Sequence, residues 1–420
     1  MPPAKTGIAS YSATVLAGLA RTGYRRRREV DVLWPLRAKH EVAIGRYQLG
    51  VYHVGNNYGF HGGIYRLATM HQGIVVLHDL GLDDLVRALL ASGDALGYRA
   101  GWEAMLRSKR LTLPDALANE PLASPWCAAV ARAARGIVVH SEFCRRYLED
   151  FGCKTPVFVI PHPVVERATD LRRAASRGAD IRARLHLGPD DVLIVAAGDL
   201  NPAKQLESVA AAVARLGASI RLALVGRRVP TWDPGHLRQS AALGDRLTVT
   251  TDVSDHEFLG WLHAADVVAD LRFPHRGEVS GTLIRAMQVG RACVVSGAGT
   301  YLDIPDDTVV RVAPGPPDVT ELATAFTRLA EHRDLRERLA ATGRAHVEAT
   351  AGGDRTALGY ERAIEETLAL VLDPRRLALG RWARALNEIG VTPAGVGEDF
   401  GLGYVRGLGD FGPRGPGAPA

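Results

Sequence analysis

The chain has 420 residues, of which 47% are hydrophobic, 23% charged and 6% aromatic, values that exclude a disordered, collagen-like or coiled-coil protein. Its formal charge of +5 comes from 51 basic and 46 acidic residues spread without long blocks; no recognition motif accompanies them, so nucleic acid is not an expected partner. No run of 18 apolar residues exists, and the first residues carry no apolar signal core. Together with four cysteines lacking any C-x-x-C pair, this points to a reducing cytoplasm.

At the start, Gly7-Ile8-Ala9-Ser10-Tyr11-Ser12 reads as a small-residue turn opening a helix. The one basic cluster, Arg21–Arg28, holds five arginines in eight residues. It reads as a solvated loop leading into a strand, with peripheral contact to an anionic membrane face as the functional alternative. Short Val- and Ile-rich runs then predict strands at Val30–Trp34, Leu49–Val54, Gly73–His78, Gly136–His140 and Pro156–Ile160. A breaker-rich stretch follows, from Pro161-His162-Pro163 through the charged segment Glu166–Arg184. The second series covers Asp191–Ala197, Ile220–Val225, Arg246–Thr250, Ala265–Asp270, Ala292–Ser296 and Thr308–Val312. Helical patterns lie between them, among them Ser208–Leu216, Asp255–Ala264 and Gly281–Val289, and two more follow at Val319–Thr342 and Gly353–Val371.

Strands alternating with helices imply βαβ units and parallel sheets. Two series parted by breakers imply two doubly wound, Rossmann-like α/β domains facing across a cleft. The expected boundaries are 1–163, 164–350, a helical segment 351–385 and an irregular tail 386–420. In such sheets ligands sit at the carboxyl ends of strands, where helix N-termini attract anions. Two turns there stand out. Arg272-Phe273-Pro274-His275-Arg276-Gly277-Glu278-Val279-Ser280-Gly281 offers free amides to a diphosphate and a carboxylate to sugar hydroxyls. Gly198-Asp199-Leu200-Asn201-Pro202-Ala203-Lys204 places one of only five lysines at a helix start, where an ammonium without an anion is mildly unfavourable. In the first half, Leu49–Val54 ends in Gly55-Asn56-Asn57 and Gly73–Leu77 ends in His78-Asp79. His53 and His61 flank the asparagine turn and read as loop packing before ligand contacts. His140 and His162 read as structural, and Trp34 and Trp126 as core or edge aromatics.

Six motifs in order resemble the retaining GT-B glycosyltransferases of group 1, or family 4, over about residues 1–370. They are Thr6–Ser12, Tyr52–Asn57, Val76–Asp79, Ile160–Pro163, Asn201–Lys204 and Arg276–Gly281. The resemblance implies an N-terminal acceptor domain and a C-terminal domain for a UDP- or GDP-sugar, with transfer to an acceptor hydroxyl with retention. The setting it implies is surface glycan or glycolipid assembly; the acceptor would be a glycan, a lipid-linked sugar or a small molecule. Lys204 would hold the diphosphate with the amides near Ser280 and Gly281, Glu278 would order the sugar, and His78 would face the reacting carbon. Gly7 matches the loop near the donor phosphates, and Asn201 and Asp79 line the same cleft. The leaving phosphate takes the acceptor's proton in this family, so neither cofactor nor metal is implied, and no D-x-D occurs.

Three departures qualify the resemblance. Seven and eight residues after Glu278 stand Arg285 and Ala286, where the family keeps a second glutamate for the ribose. Asp199 stands near the place of an arginine that assists the lysine. Only six residues precede Gly7, too few for the strand that normally leads into its loop. A start internal to a longer natural chain is therefore the expectation, unless the sheet lacks a strand or another segment fills the gap. Direct pairing of Leu49–Val54 with Gly73–Leu77 would argue against a missing strand. The departures leave a GT-B protein that binds without transferring as the alternative function. An epimerase or phosphorylase on the same fold is a further one.

Overall fold

The computed structural model describes residues 7–372 except 35, 37–43, 94–95, 108–109, 164–167, 230–231 and 241. The tail expected at 386–420 lies outside the described residues. Two wholly parallel sheets carry the fold. The first runs β1 (Val51–Val54), β2 (Ile74–Leu77), β3 (Gly136–Val139) and β4 (Val157–Val159) in spatial order 1-2-3-4. The second has order 10-9-8-5-6-7, built from β5 (Val192–Ala197), β6 (Ile220–Gly226), β7 (Leu247–Thr251), β8 (Val267–Asp270), β9 (Ala292–Ser296) and β10 (Val310–Val312).

The central strands are buried on both faces, which is why they read as unbroken apolar runs rather than alternating ones. In the second sheet, one face packs Val209, Val213, Phe326 and Leu329, and the other Ile181, Leu259, Leu262 and Met287. The first sheet sets a large core around Trp102 and Trp126 on one side. On the other side lie the helix Gly7–Arg21 and the helix Gly353–Leu372, through Tyr11, Val15, Ala357 and Tyr360. Trp126 is thus a core aromatic, as expected.

Several sequence expectations change. Val30–Trp34 is no strand: among the described residues no strand pairs with it, the Val30 carbonyl accepts from the Arg25 guanidinium at 3.4 Å, and Val32 stays 46% exposed. The arginine cluster before it folds as a helix end and a short helix, Tyr24–Arg27, and two of its members meet acids of the last helix: Arg21 with Asp354 and Arg27 with Glu361. β1 and β2 pair directly, Val51 opposite Ile74 through Val54 opposite Leu77, so no gap lies between them. The charged stretch after Pro163 is largely a helix, Ala168–Arg184. Gly178 lets its backbone pack against His263 and Ala264, while Arg177 grips Glu257 at 2.6 and 3.1 Å. The long pattern from Val319 breaks at His332 into two helices, Val319–Glu331 and Arg333–Thr350. No helix among the described residues is long and apolar enough to cross a membrane.

Strand order reverses between β8 and β5 in the second sheet, a topological switch point. The turns after these two strands are those singled out above, and the ends of β1, β2 and β3 face them.

Candidate functional site

On the second domain's side the site begins where β5 ends. Gly198 turns the chain at φ +108, and a Cβ there would sit 3.0 Å from Lys204 Cε and from Thr282 Oγ1. Only glycine lets the lysine lie across that turn. Pro202–Lys204 is a single 3-10 turn, and Gln205, at φ 56, redirects the chain into the helix Leu206–Ala214. Lys204 is 4% exposed, and its Nζ donates to Asp270 Oδ1 at 3.1 Å. It is therefore not the unpaired ammonium that its position suggested.

Asp270 ends β8 fully buried. Tyr301 donates to its Oδ2 at 2.9 Å and Arg272 stands 4.0 Å from Oδ1. Burial alone would raise this carboxyl, but Lys204, Arg272 and a bond from Ser280 outweigh it and hold it down to about 2. Burial and the Arg272 charge in turn lower Lys204 to about 8, against the pull of Asp270. Arg272 reaches on to Glu278, Nε to Oε1 at 3.1 Å. The second Glu278 oxygen accepts the Arg276 backbone N–H at 2.7 Å. His275 Nδ1 lies 3.6 Å from the same oxygen, yet that nitrogen accepts the Gly277 N–H at 2.8 Å, so it offers the carboxylate a lone pair and not a proton. Ser280 caps the helix Gly281–Gln288 by accepting from Leu283 N–H.

Two positions resolve departures noted in the sequence. Asp199 is bound by Arg227 at 2.5 Å, and the second cation beside Lys204 is Arg272. Arg285 pairs with Asp255 at 3.5 Å and lies over the Phe258 ring, 4.6 Å from its centroid. It packs against a neighbouring helix instead of replacing the absent glutamate.

The first domain meets this loop directly. Leu80 and Gly81 donate to the Arg276 carbonyl at 2.8 and 2.9 Å, and Arg276 clasps Asp83 at 2.9 and 3.1 Å. Gly277, at φ +80, lies so close to Leu80 that a Cβ would come within 2.7 Å of it. A second bridge joins Asp303 to Arg146 at 2.7 Å and to the Phe143 N–H at 2.6 Å. Asp79 accepts the Asn56 N–H at 2.8 Å; burial, then the Glu278 charge, lift its carboxyl to about 7.

His78 is buried, and both ring nitrogens are engaged: Nε2 lies 3.0 Å from His53 Nδ1, and Nδ1 lies 3.3 Å from His140 Nε2. His140 Nδ1 in turn meets the Ile160 carbonyl at 2.9 Å. Burial depresses all three: His53 to about 3 and His78 well below its usual value, with neighbouring imidazoles adding to the effect, and His140 to about 4 against the pull of the Ile160 carbonyl. His53 and His140, which read as packing and structural residues in the sequence, also join His78 by hydrogen bonds. Tyr11 packs in the middle of this group, its ring centroid 4.9 to 5.8 Å from those of His53, His78, His140 and His162. His162 also reaches Gly281, where a Cβ would lie 3.8 Å from its ring.

The structure thus unites Lys204, Glu278 and Ser280 in one charged network, with Asp79 beside it. Gly281 opens the adjacent helix. Asn201 lies in the Lys204 turn, its Oδ1 buried without a partner among the described residues. Gly7 opens its helix exposed, with free space around it, while the next residue, Ile8, packs at Gly55 beside Asp79. Asp270, Arg272, Tyr301, Tyr11, His53 and His140 escaped selection as site residues. For the first two a signal existed: Asp270 directly follows the wholly apolar run Val267–Ala269, and Arg272 stands two residues beyond Asp270.

Residues 191–332 match the sequence model of the family described as glycosyl transferases, group 1. Among solved structures, sucrose-phosphate synthase from Thermosynechococcus elongatus is 22% identical, covering 79% of this chain and 77% of its own at a TM-score of 0.56. Anabaena HepE in complex with UDP-glucose is 14% identical, covering 87% and 96% at 0.60. The α,α-trehalose-phosphate synthase (UDP-forming) from Burkholderia xenovorans, with glucose-6-phosphate, is 12% identical, covering 85% and 84% at 0.50.

The fold is GT-B.

No curated protein sequence matches the chain. At these identities the solved structures speak for architecture. The family match covers the GT-B domain that holds Lys204, Asp270, Arg272 and Glu278.

Proposed function

We propose that this GT-B chain transfers a sugar from a nucleotide diphosphate sugar to an acceptor hydroxyl, with retention and without a metal. The observation that carries the reading is the pairing of two cations, buried Lys204 and partly buried Arg272, with the capped start of the helix Gly281–Gln288 at the switch point of the sheet. A departing diphosphate needs fixed positive charge and free amides, and a water-poor cleft strengthens both. Glu278 is held in one direction by Arg272 and the Arg276 amide, a fixed carboxylate fit to order sugar hydroxyls. UDP is preferred to GDP as the donor base, because the neighbours HepE and trehalose-phosphate synthase carry UDP in their descriptions. The role in surface glycan or glycolipid assembly, the cytoplasmic setting and the peripheral membrane contact belong to the same proposal and rest on the resemblance.

A binding protein without transfer is the second reading, and one observation favours it: Asp270 already neutralises Lys204. Calorimetry with UDP and GDP on the wild type and on Lys204→Ala separates the two readings when followed by a transfer assay. We expect UDP to bind at micromolar level and the variant to lose about tenfold, or about 1.4 kcal/mol. The anomeric coupling of the product then reports retention. A folded chain that binds neither nucleotide would overturn the proposal, and binding without sugar turnover would move it to the second reading.

A further inference from the structure

Three histidines at the ends of three adjacent strands form one hydrogen-bonded line. It runs from His53 Nδ1 to His78 Nε2 at 3.0 Å, from His78 Nδ1 to His140 Nε2 at 3.3 Å, and from His140 Nδ1 to the Ile160 carbonyl at 2.9 Å. A carbonyl oxygen only accepts, so His140 Nδ1 carries a proton there. A neutral imidazole has one N–H, which leaves His140 Nε2 as an acceptor and makes His78 Nδ1 the donor to it. The same step makes His78 Nε2 an acceptor and His53 Nδ1 its donor. The line therefore has one polarity, set by a backbone oxygen at its buried end. At the other end His53 is only partly buried, and among the described residues no hydrogen bond is made at its Nε2.

The surroundings keep the line intact and uncharged. Tyr11 packs its ring among the imidazoles, but its hydroxyl is engaged with Tyr360 at 2.8 Å and does not compete for their nitrogens. His61 Nδ1 lies 3.0 Å from the His53 carbonyl and not from its ring. Among the described residues no group of three or more His, Cys, Asp or Glu could hold a metal ion, so nitrogen-to-nitrogen contacts of 3.0 and 3.3 Å are hydrogen bonds. Close packing of neutral rings suits a place where a sugar carbon turns cationic, since an imidazolium there would oppose the charge.

We infer that His140 is a positioning residue which, anchored by the Ile160 carbonyl, locks the tautomers of His78 and His53 so that His53 Nε2 presents a lone pair to a substrate hydroxyl. His78 has no nitrogen left for substrate and acts as the middle of the line. The hydroxyl's identity rests on the sugar-transfer reading; the tautomer order does not.

Ring-nitrogen NMR of the full chain, labelled at histidine, tests the two parts separately. The wild type at pH 7 should show His53, His78 and His140 neutral and protonated at Nδ1. In His140→Phe the acceptor for His78 is gone, and the His53 signal should shift toward the Nε2-protonated form. His140→Gln, whose amide oxygen can accept in the place of Nε2, should restore the wild-type pattern. An Nε2 proton on His53 in the wild type overturns the inference without any variant having to fold, as does an unchanged His53 in a folded His140→Phe. Added UDP-glucose should move the His53 Nε2 resonance. If UDP-glucose binds by calorimetry and that resonance stays still, the hydroxyl contact is wrong although the transfer reading stands. If UDP-glucose does not bind, the contact fails, and if neither UDP nor GDP binds the transfer reading fails with it, while the tautomer order is still read from the spectrum.

Discussion

The two faces of the cleft solve opposite electrostatic problems with the same burial. On the second domain, Lys204, Asp270, Arg272 and Glu278 form a chain of alternating charge, in which the cations Lys204 and Arg272 hold the buried Asp270 carboxyl down to about 2. On the first domain, burial depresses His53, His78 and His140, and no counter-ion among their neighbours opposes it. Desolvation thus works against charge on both sides; on one it is outweighed by partner charges and on the other nothing opposes it, so the partner, not the depth, decides. A leaving diphosphate needs the first environment and a developing oxocarbenium needs the second.

The largest way to break this contrast is Asp270→Asn. It leaves buried Lys204 without its anion while Arg272 keeps Glu278, and removal of one partner from a buried pair typically costs about 3–5 kcal/mol. Chemical denaturation should report that loss. The double change Lys204→Met with Asp270→Leu should regain much of it while failing to bind UDP. A single variant as stable as the wild type would mean that the charges are not coupled.

Much of this architecture was legible beforehand, for a physical reason. A parallel strand covered on both faces must be apolar throughout, so Asp191–Ala197 or Ala292–Ser296 stands out in sequence. Val30–Trp34 is rich in the same residues, though Asp31 interrupts it, but among the described residues no strand lies beside it, and composition does not report neighbours. The histidine line was illegible for a related reason: its members stand 25 and 62 residues apart, each unremarkable alone. Register brings them together, since Val76 lies opposite both His53 and Val138, which places His78 and His140 level just beyond the strands. Asp270 was more readable than it was read. A carboxylate closing a wholly apolar strand must be buried and must find a cation, and the chain offers few lysines.

A smaller effect sharpens the contrast through pH. Lys204 is held at about 8 in the fold, below its ordinary 10.5, so it loses its proton first in the folded chain. UDP affinity should be level below pH 8 and weaken above it, by at most about tenfold per unit. Stability moves the other way. Between about 8 and 10.5 the unfolded chain holds the extra proton, so the Lys204 contribution to folding rises with pH. Calorimetry and denaturation from pH 7 to 9.5, each set against Lys204→Met, should show these opposite slopes; flat binding across that range would detach Lys204 from the nucleotide.

Asp79 offers a test on the other side. Its folded value of about 7 lies above the ordinary 3.8, so the folded chain binds the extra proton between those limits and the cost of ionisation is complete above pH 7. Asp79→Asn can still accept the Asn56 N–H and carries no charge toward Glu278. It should stabilise the chain by on the order of 1 kcal/mol at pH 8, and the gain should vanish below pH 4. A gain that does not depend on pH would show that packing, not charge, is responsible.

The smallest effect concerns how the two faces are held together. Arg276 clasps Asp83 across the domains, but its carbonyl also accepts from Leu80 and Gly81, and those bonds do not need the side chain. Arg276→Gln removes the ion pair and keeps the backbone contacts, and its amide can still donate to buried Asp83, so its cost should be about 1 kcal/mol, that of a weakened hydrogen bond. The loss should appear as faster hydrogen exchange at the Leu80 and Gly81 amides and as a raised donor KM, with the turnover of bound donor nearly unchanged. A fall in turnover instead would mean that Arg276 acts on Glu278 through the loop they share, because the Arg276 amide is what fixes the second oxygen of that carboxylate.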